Sequence, residues 1–122
     1  LAKINNYDSI DVWGSGDVRR EFLNVEDAAD GIVFLLKNYS DYSHINLGYG
    51  EDLTIRSLVT KICETIDFQG DIIFDKTKPD GTPRKLLDCA KINSMGWQPK
   101  ITLETGLAEV YQNLVSDKLL DK

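Results

Sequence analysis

No apolar run in these 122 residues approaches the roughly 20 that a membrane-crossing helix needs, and Leu1-Ala2-Lys3-Ile4-Asn5-Asn6 does not read as a secretory signal. The sequence therefore predicts a cytoplasmic protein with no membrane partner. Cysteine is scarce: Cys63 and Cys89 stand alone, without Cys-x-x-Cys or Cys/His spacing, so neither a zinc site nor a redox pair is indicated and both are expected to be reduced and structural. Histidine occurs once, at His44 in the strand-like Ser43-His44-Ile45-Asn46-Leu47, and is expected to be a hydrogen-bonded structural residue. General acid–base chemistry near neutral pH has almost no candidate. Positive charge is also in deficit, 14 Lys and Arg against 20 Asp and Glu for a net charge of −6, which argues against nucleic acid as a partner. Any anion site must then be a local cationic pocket on an acidic body.

What is present has the pattern of an α/β chain. One domain over residues 1–122 is long enough to bury a core. Leu1 to about Tyr7 reads as the tail of a helix. Ile10–Trp13 and Glu21–Leu23 read as short extended runs, and Glu26 to about Asn38 as a helix whose buried stripe is Ala28, Ala29, Ile32, Leu35 and Leu36. Ile45–Leu47 predicts a strand ending at Gly48-Tyr49-Gly50. Thr54 opens a second amphipathic helix running to Asp67, with Ile55, Leu58, Val59, Ile62 and Ile66 on its apolar side. A strand over Asp71–Phe74, a short helix from Cys89 to Met95 closed by Gly96, and a last helix from Thr102 to about Ser116 complete the order. Alternating strands and amphipathic helices argue for α/β layers.

Two segments carry chemistry. In Lys78-Pro79-Asp80-Gly81-Thr82-Pro83-Arg84-Lys85 the prolines and Asp80-Gly81 stiffen a turn that holds three cations and a carboxylate. It reads as an anion clamp or as a solvated connecting loop. In Val12-Trp13-Gly14-Ser15-Gly16-Asp17-Val18-Arg19-Arg20-Glu21-Phe22-Leu23 a glycine turn carries an aromatic residue and two arginines. Gly14-Ser15-Gly16 begins like a dinucleotide fingerprint, but Arg19 replaces the last glycine and an extended segment follows. Arg20 can fork two donors onto a diphosphate and Lys85 can add a point charge. Trp13 fits either a base-stacking wall or core packing; Asp80 fits either a hydroxyl or guanine acceptor or a local cap of backbone amides. Arg84 reads as sharing the phosphate charge or as pairing with Asp88. Arg56 and Trp97 read as structural, and Asp27 and Asp30 as carboxylates favoured near a helix start.

Together with Ile45-Asn46-Leu47-Gly48, Leu53-Thr54-Ile55-Arg56, Leu86-Leu87-Asp88 and Gly96-Trp97, these segments resemble the GDP-L-fucose synthases, NADP-dependent epimerase-reductases of the extended short-chain dehydrogenase/reductase group. The Lys-Pro-Asp-Gly-Thr-Pro-Arg-Lys-Leu-Leu-Asp run is closest to that family itself, whereas Arg-Glu-Phe-Leu, Ile-Asn-Leu-Gly and Gly-Trp recur across related nucleotide-sugar enzymes. The resemblance implies a small substrate-binding lobe without the dinucleotide-binding domain, a GDP-sugar substrate, NADP held by the complete enzyme and not by this chain, and self-association. It implies substrate-binding roles for Trp13, Arg20, Asp80 and Lys85. No tyrosine here is followed four residues later by lysine, so no catalytic residue is assigned. The expectation is the C-terminal, substrate-side part of a larger enzyme, itself inactive, with a non-catalytic nucleotide-sugar-binding or assembly module as the alternative. Three departures from the family pattern stand out: Asp17-Val18 where a small polar residue and proline are usual, the extra cation Arg19, expected to loosen the loop, and Asn24 where histidine is common.

Overall fold

The computed structural model describes residues 1–116, and in it the chain alternates short strands with helices. The strands are β1 (Ser9–Trp13), β2 (Arg19–Arg20), β3 (Leu53–Thr54), β4 (Asp71–Asp75) and β5 (Arg84–Lys85). The helices are α1 (Val25–Asn38), α2 (Ile55–Ile66), α3 (Ala90–Ser94) and α4 (Leu103–Ser116). Residues 1–7 form one helical turn, in keeping with the helix tail read from the sequence. Its end has the hydrogen bonding of a Schellman motif, with Tyr7 N–H on the Ala2 carbonyl (3.0 Å), Asn6 N–H on that of Lys3 (3.2 Å) and Asn6 at φ 52°.

The strands make two small sheets. β1 and β4 pair in parallel from Ser9 opposite Asp71 to Trp13 opposite Asp75. β2 lies between β3, antiparallel, and β5, parallel. The ladder involves Arg19 and Arg20 rather than the expected Glu21–Leu23. Glu21 instead turns its carboxylate onto the amides of Tyr49, Gly50 and Leu87 at 2.8–3.1 Å, replacing strand pairing with side-chain acceptance. The predicted strand at Ile45–Leu47 also does not form. Residues 44–48 make no backbone–backbone hydrogen bond among the described residues, although Ile45 and Leu47 pack on the core. His44 in that segment is exposed and has no hydrogen-bond partner among the described residues, contrary to the structural role expected of it.

Helix α1 starts where Asn24 caps it, accepting from the Glu26 amide at 2.8 Å; this gives the unexpected Asn24 a physical role. The helix presents a different face from the one predicted. Its inner side is Asp27, Gly31, Phe34 and Leu35, whereas Ala29 is exposed, Ile32 is 53% exposed and Leu36 80%. Apolar residues occur almost all round α1, so their spacing alone could not choose a side. Close packing chose it: a Cβ at Gly31 would lie 2.5 Å from Leu47 and 2.9 Å from Trp97. Asp27, 4% exposed, accepts the amides of Lys100 and Ile101 at 3.0 and 2.8 Å, so it latches the 100–101 segment as well as sitting in the first turn.

The core joins Cys89, Ile92 and Trp97 with Leu23, Phe34, Leu35, Ile45 and Leu47. Trp97 is structural, as expected, and its indole N–H donates to Asp30 at 2.9 Å. Both cysteines are free and buried, and burial is the first cause pushing each thiol up from its ordinary value. α2 begins at its Thr54 cap, ends at Asp67 in the left-handed region, and packs on α4 with Lys61 paired to Glu104 at 2.5 Å. No helix among the described residues is long and apolar enough to cross a membrane.

Candidate functional site

β1 ends by carrying Trp13 to the rim of the glycine turn, where the residue is 74% exposed and Lys78 Nζ stands 5.4 Å from its ring centroid. Trp13 is therefore not a core residue. The next residue must be glycine: Gly14 sits at φ 88°, and a Cβ there would lie 2.4 Å from Asp80 Oδ1. That close approach lets Asp80 accept the Ser15 amide at 2.8 Å, tying the Pro-Gly loop to a turn 65 positions away in sequence. The Ser15 amide is the first cause holding the Asp80 carboxyl below its ordinary value of 3.8. Asp80 thus caps a backbone amide, though of the distant turn rather than its own, and the Ser15 side chain adds to the hold on its carboxylate.

The turn is held from its far side as well. Arg56 donates to the Ser15 carbonyl at 2.6 Å and lies 3.9 Å over the Phe74 ring, in keeping with its expected structural role. The amides of Ile55 and Arg56, at the start of α2, donate to the carbonyls of Val18 and Gly16. β1 and β4 then border an open depression lined by Asp11, Trp13, Ile73, Phe74, Lys76 and Thr77.

Strand alternation sorts the cations. β2 and β5 pair with Arg19 opposite Arg84 and Arg20 opposite Lys85, so each register pair projects to one face and the two pairs to opposite faces. On one face Arg19 and Arg84 both reach Asp52, whose side chain is 3% exposed. Arg19 donates from Nε at 2.9 Å and approaches again through Nη2 at 2.8 Å, while Arg84 Nε bonds the other carboxylate oxygen. These hydrogen bonds, Arg84's first and then Arg19's, hold the Asp52 carboxyl below its ordinary value. Arg84 therefore pairs with Asp52, not with Asp88, which instead accepts the Ala90 amide at 2.9 Å. Arg19 fastens the loop that it was expected to loosen.

On the other face neither Arg20 nor Lys85 has a carboxylate partner among the described residues. Arg20 donates to the Arg19 carbonyl at 2.6 Å, and its guanidinium lies beside Gly81, where a Cβ would meet Nη2 at 3.2 Å. The four predicted site residues are thus linked in space: Trp13 adjoins Gly14, Gly14 abuts Asp80, Gly81 abuts Arg20, and Arg20 is in register with Lys85. Asp52 and Glu21, which organise this edge, were not singled out from the sequence, because their partners lie 28 to 66 residues away. The strand-borne pairs Arg19-Arg20 and Arg84-Lys85 held a usable signal, since in any strand neighbouring cations face opposite ways.

Residues 1–48 match the model of the NAD dependent epimerase/dehydratase family. Over 116 residues the chain is 50% identical to a GDP-L-fucose synthase of Sinorhizobium fredii (strain NBRC 101917 / NGR234), covering 95% of this chain and 37% of that protein. It is 42% identical over 120 residues to the GDP-L-fucose synthase of Escherichia coli (strain K12), covering 91% and 37%. Among solved structures, a GDP-L-fucose synthetase from Naegleria fowleri bound to NADP superposes with a TM-score of 0.88 at 27% identity, covering 96% of this chain and 37% of that one. A GDP-6-OMe-4-keto-L-xylo-heptose reductase from C. jejuni gives 0.83 at 32% identity, covering 93% and 37%. The chain is therefore similar to GDP-sugar epimerases and reductases and has the α/β fold of their solved structures. Within that class its resemblance is to the GDP-L-fucose synthases, over more than nine-tenths of its length. It spans about a third of the length of the curated relatives that it matches.

NADP accompanies some of those relatives, but the residues around the glycine turn do not fit a dinucleotide phosphate site. The Gly14-Ser15-Gly16 turn leads into β2 rather than a helix N-terminus; its Gly14 and Ser15 amides are committed to the Asp75 carbonyl and to Asp80, while its Ser15 and Gly16 carbonyls accept from Arg56.

Proposed function

We propose that this chain is the GDP-sugar-binding portion of an NADP-dependent epimerase-reductase acting on GDP-4-keto-6-deoxymannose or a related GDP-sugar. The observation that carries this is the register pair Arg20 and Lys85, two cations without a carboxylate partner among the described residues on one face of a strand ladder, linked to the exposed Trp13 through the contacts of Gly14 with Asp80 and of Gly81 with Arg20. A diphosphate supplies the charge that such a pair lacks: Arg20 gives a planar fork and Lys85 a compact charge. Trp13 offers a flat wall for the base or ribose. Asp80, anchored by the Ser15 amide, would offer its carboxylate to a hydroxyl or a base edge.

Binding energy from the nucleotide would orient the sugar, while proton transfer and hydride delivery come from groups outside these 122 residues. The exposed apolar side of α1 and the unpaired segment 44–48 support a second role in assembly with another layer of structure, or with a further copy of the chain.

Titration of the full natural chain with GDP, followed by tryptophan emission, tests the reading. The expected result is quenching that is lost in Trp13→Phe. Equal quenching in the two proteins would remove Trp13 from the site.

A further inference from the structure

We propose that Asp52 is the positioning residue of the nucleotide-diphosphate site, holding Arg20 and Lys85 in place through the opposite face of the same ladder. This rests on the GDP-sugar reading above. β2 and β5 are each two residues long, and their pairing places four cations in two register pairs, Arg19 with Arg84 and Arg20 with Lys85. Like charges directly opposite one another destabilise a strand pair, so this ladder opposes its own formation twice over. Among the described residues only one of the two pairs has an acid. Asp52 is enclosed by both guanidiniums, its side chain is 3% exposed, and Arg19 also donates from Nη2 to the Asp52 backbone carbonyl at 2.9 Å.

The second pair is left to an incoming anion, and because the ladder is so short, its geometry depends on the fastening one residue away. The arrangement also removes Arg19 and Arg84 from competition. Four cations sit on adjacent strands, and two are presented without an acid among the described residues.

The sign of one mutation separates positioning from simple charge. Asp52→Asn removes a negative charge and releases two arginines near the site, so Coulomb attraction alone would make GDP bind more tightly. Positioning requires the opposite. In the full natural chain, calorimetry should show GDP binding weakened at least about fivefold by Asp52→Asn, with NADPH affinity unchanged. Arg20→Ala, which weakens GDP binding in the natural background, should cost much less in the Asp52→Asn background, because the guanidinium has already lost its placement. A merely structural Asp52 would lower Tm but leave the Arg20→Ala factor the same. Tighter or unchanged GDP binding in Asp52→Asn, or an undiminished Arg20→Ala factor, overturns the inference. If Asp52→Asn does not fold, Arg19→Lys decides: it keeps the charge and loses the two-donor hold of Nε and Nη2 on Asp52, so weaker GDP binding supports positioning and unchanged binding overturns it. An Arg20→Ala protein with natural GDP affinity would overturn the site reading itself, and this inference with it.

Discussion

At Asp80 one carboxylate oxygen fixes the distance between two loops, and its titration should be visible in stability. The Ser15 amide favours the charged form, so the folded value lies below the ordinary 3.8 and the unfolded chain binds the proton more readily. Its contribution is complete above about that ordinary value and is lost as pH falls through the lower, folded one. Denaturant unfolding of the natural chain should therefore show stability falling with acid below pH about 4, and Asp80→Ala should flatten that slope. An identical slope in the variant would mean that the Ser15 contact contributes nothing to the fold. Gly14 belongs to the same device, since any side chain there would displace the Asp80 carboxylate by which the loops meet.

Among the elements, α1 separates appearance from packing. Phe34 contacts the core while Leu36, two positions on, is 80% exposed. Phe34→Ala is expected to cost about 2 kcal/mol or more, as for other truncated core aromatics, and Leu36→Glu to stay within about 0.5 kcal/mol. Chemical denaturation checks both; equal losses would return the helix to the face that its apolar spacing suggests. The contrast with α2 shows what a sequence can display. There the apolar residues form a single stripe between a threonine cap and a left-handed aspartate, and the predicted helix matches the observed one closely. In α1 the choice of side depended on Gly31 against Leu47 and Trp97, a tertiary contact with no local signature. Ile45–Leu47 reads as a strand because its side chains do pack inward; what it lacks is a backbone partner, and pairing is a property of the neighbour. The cationic loop and the glycine turn were both legible as motifs. Their junction through Asp80, and the division of four cations by Asp52, were not, because those bonds span 32 to 65 residues.

Across the whole molecule, the two small sheets, the glycine turn and the Pro-Gly loop form a frame that presents two cations without an acid among the described residues, and an exposed indole at the turn joined to them through Asp80 and Gly81, on a chain of net charge −6. That local reversal of charge is the physical basis of the proposed GDP-sugar site. Calorimetric titration of Arg20→Ala in the full natural chain, with GDP and separately with NADPH, tests it most directly. The account predicts that GDP binding weakens by about 1.5–3 kcal/mol, the range of a charge-assisted hydrogen bond, that Arg20→Lys recovers only part because an ammonium lacks the planar fork, and that NADPH binding is unchanged. A folded Arg20→Ala protein that binds GDP as tightly as the natural one would contradict it.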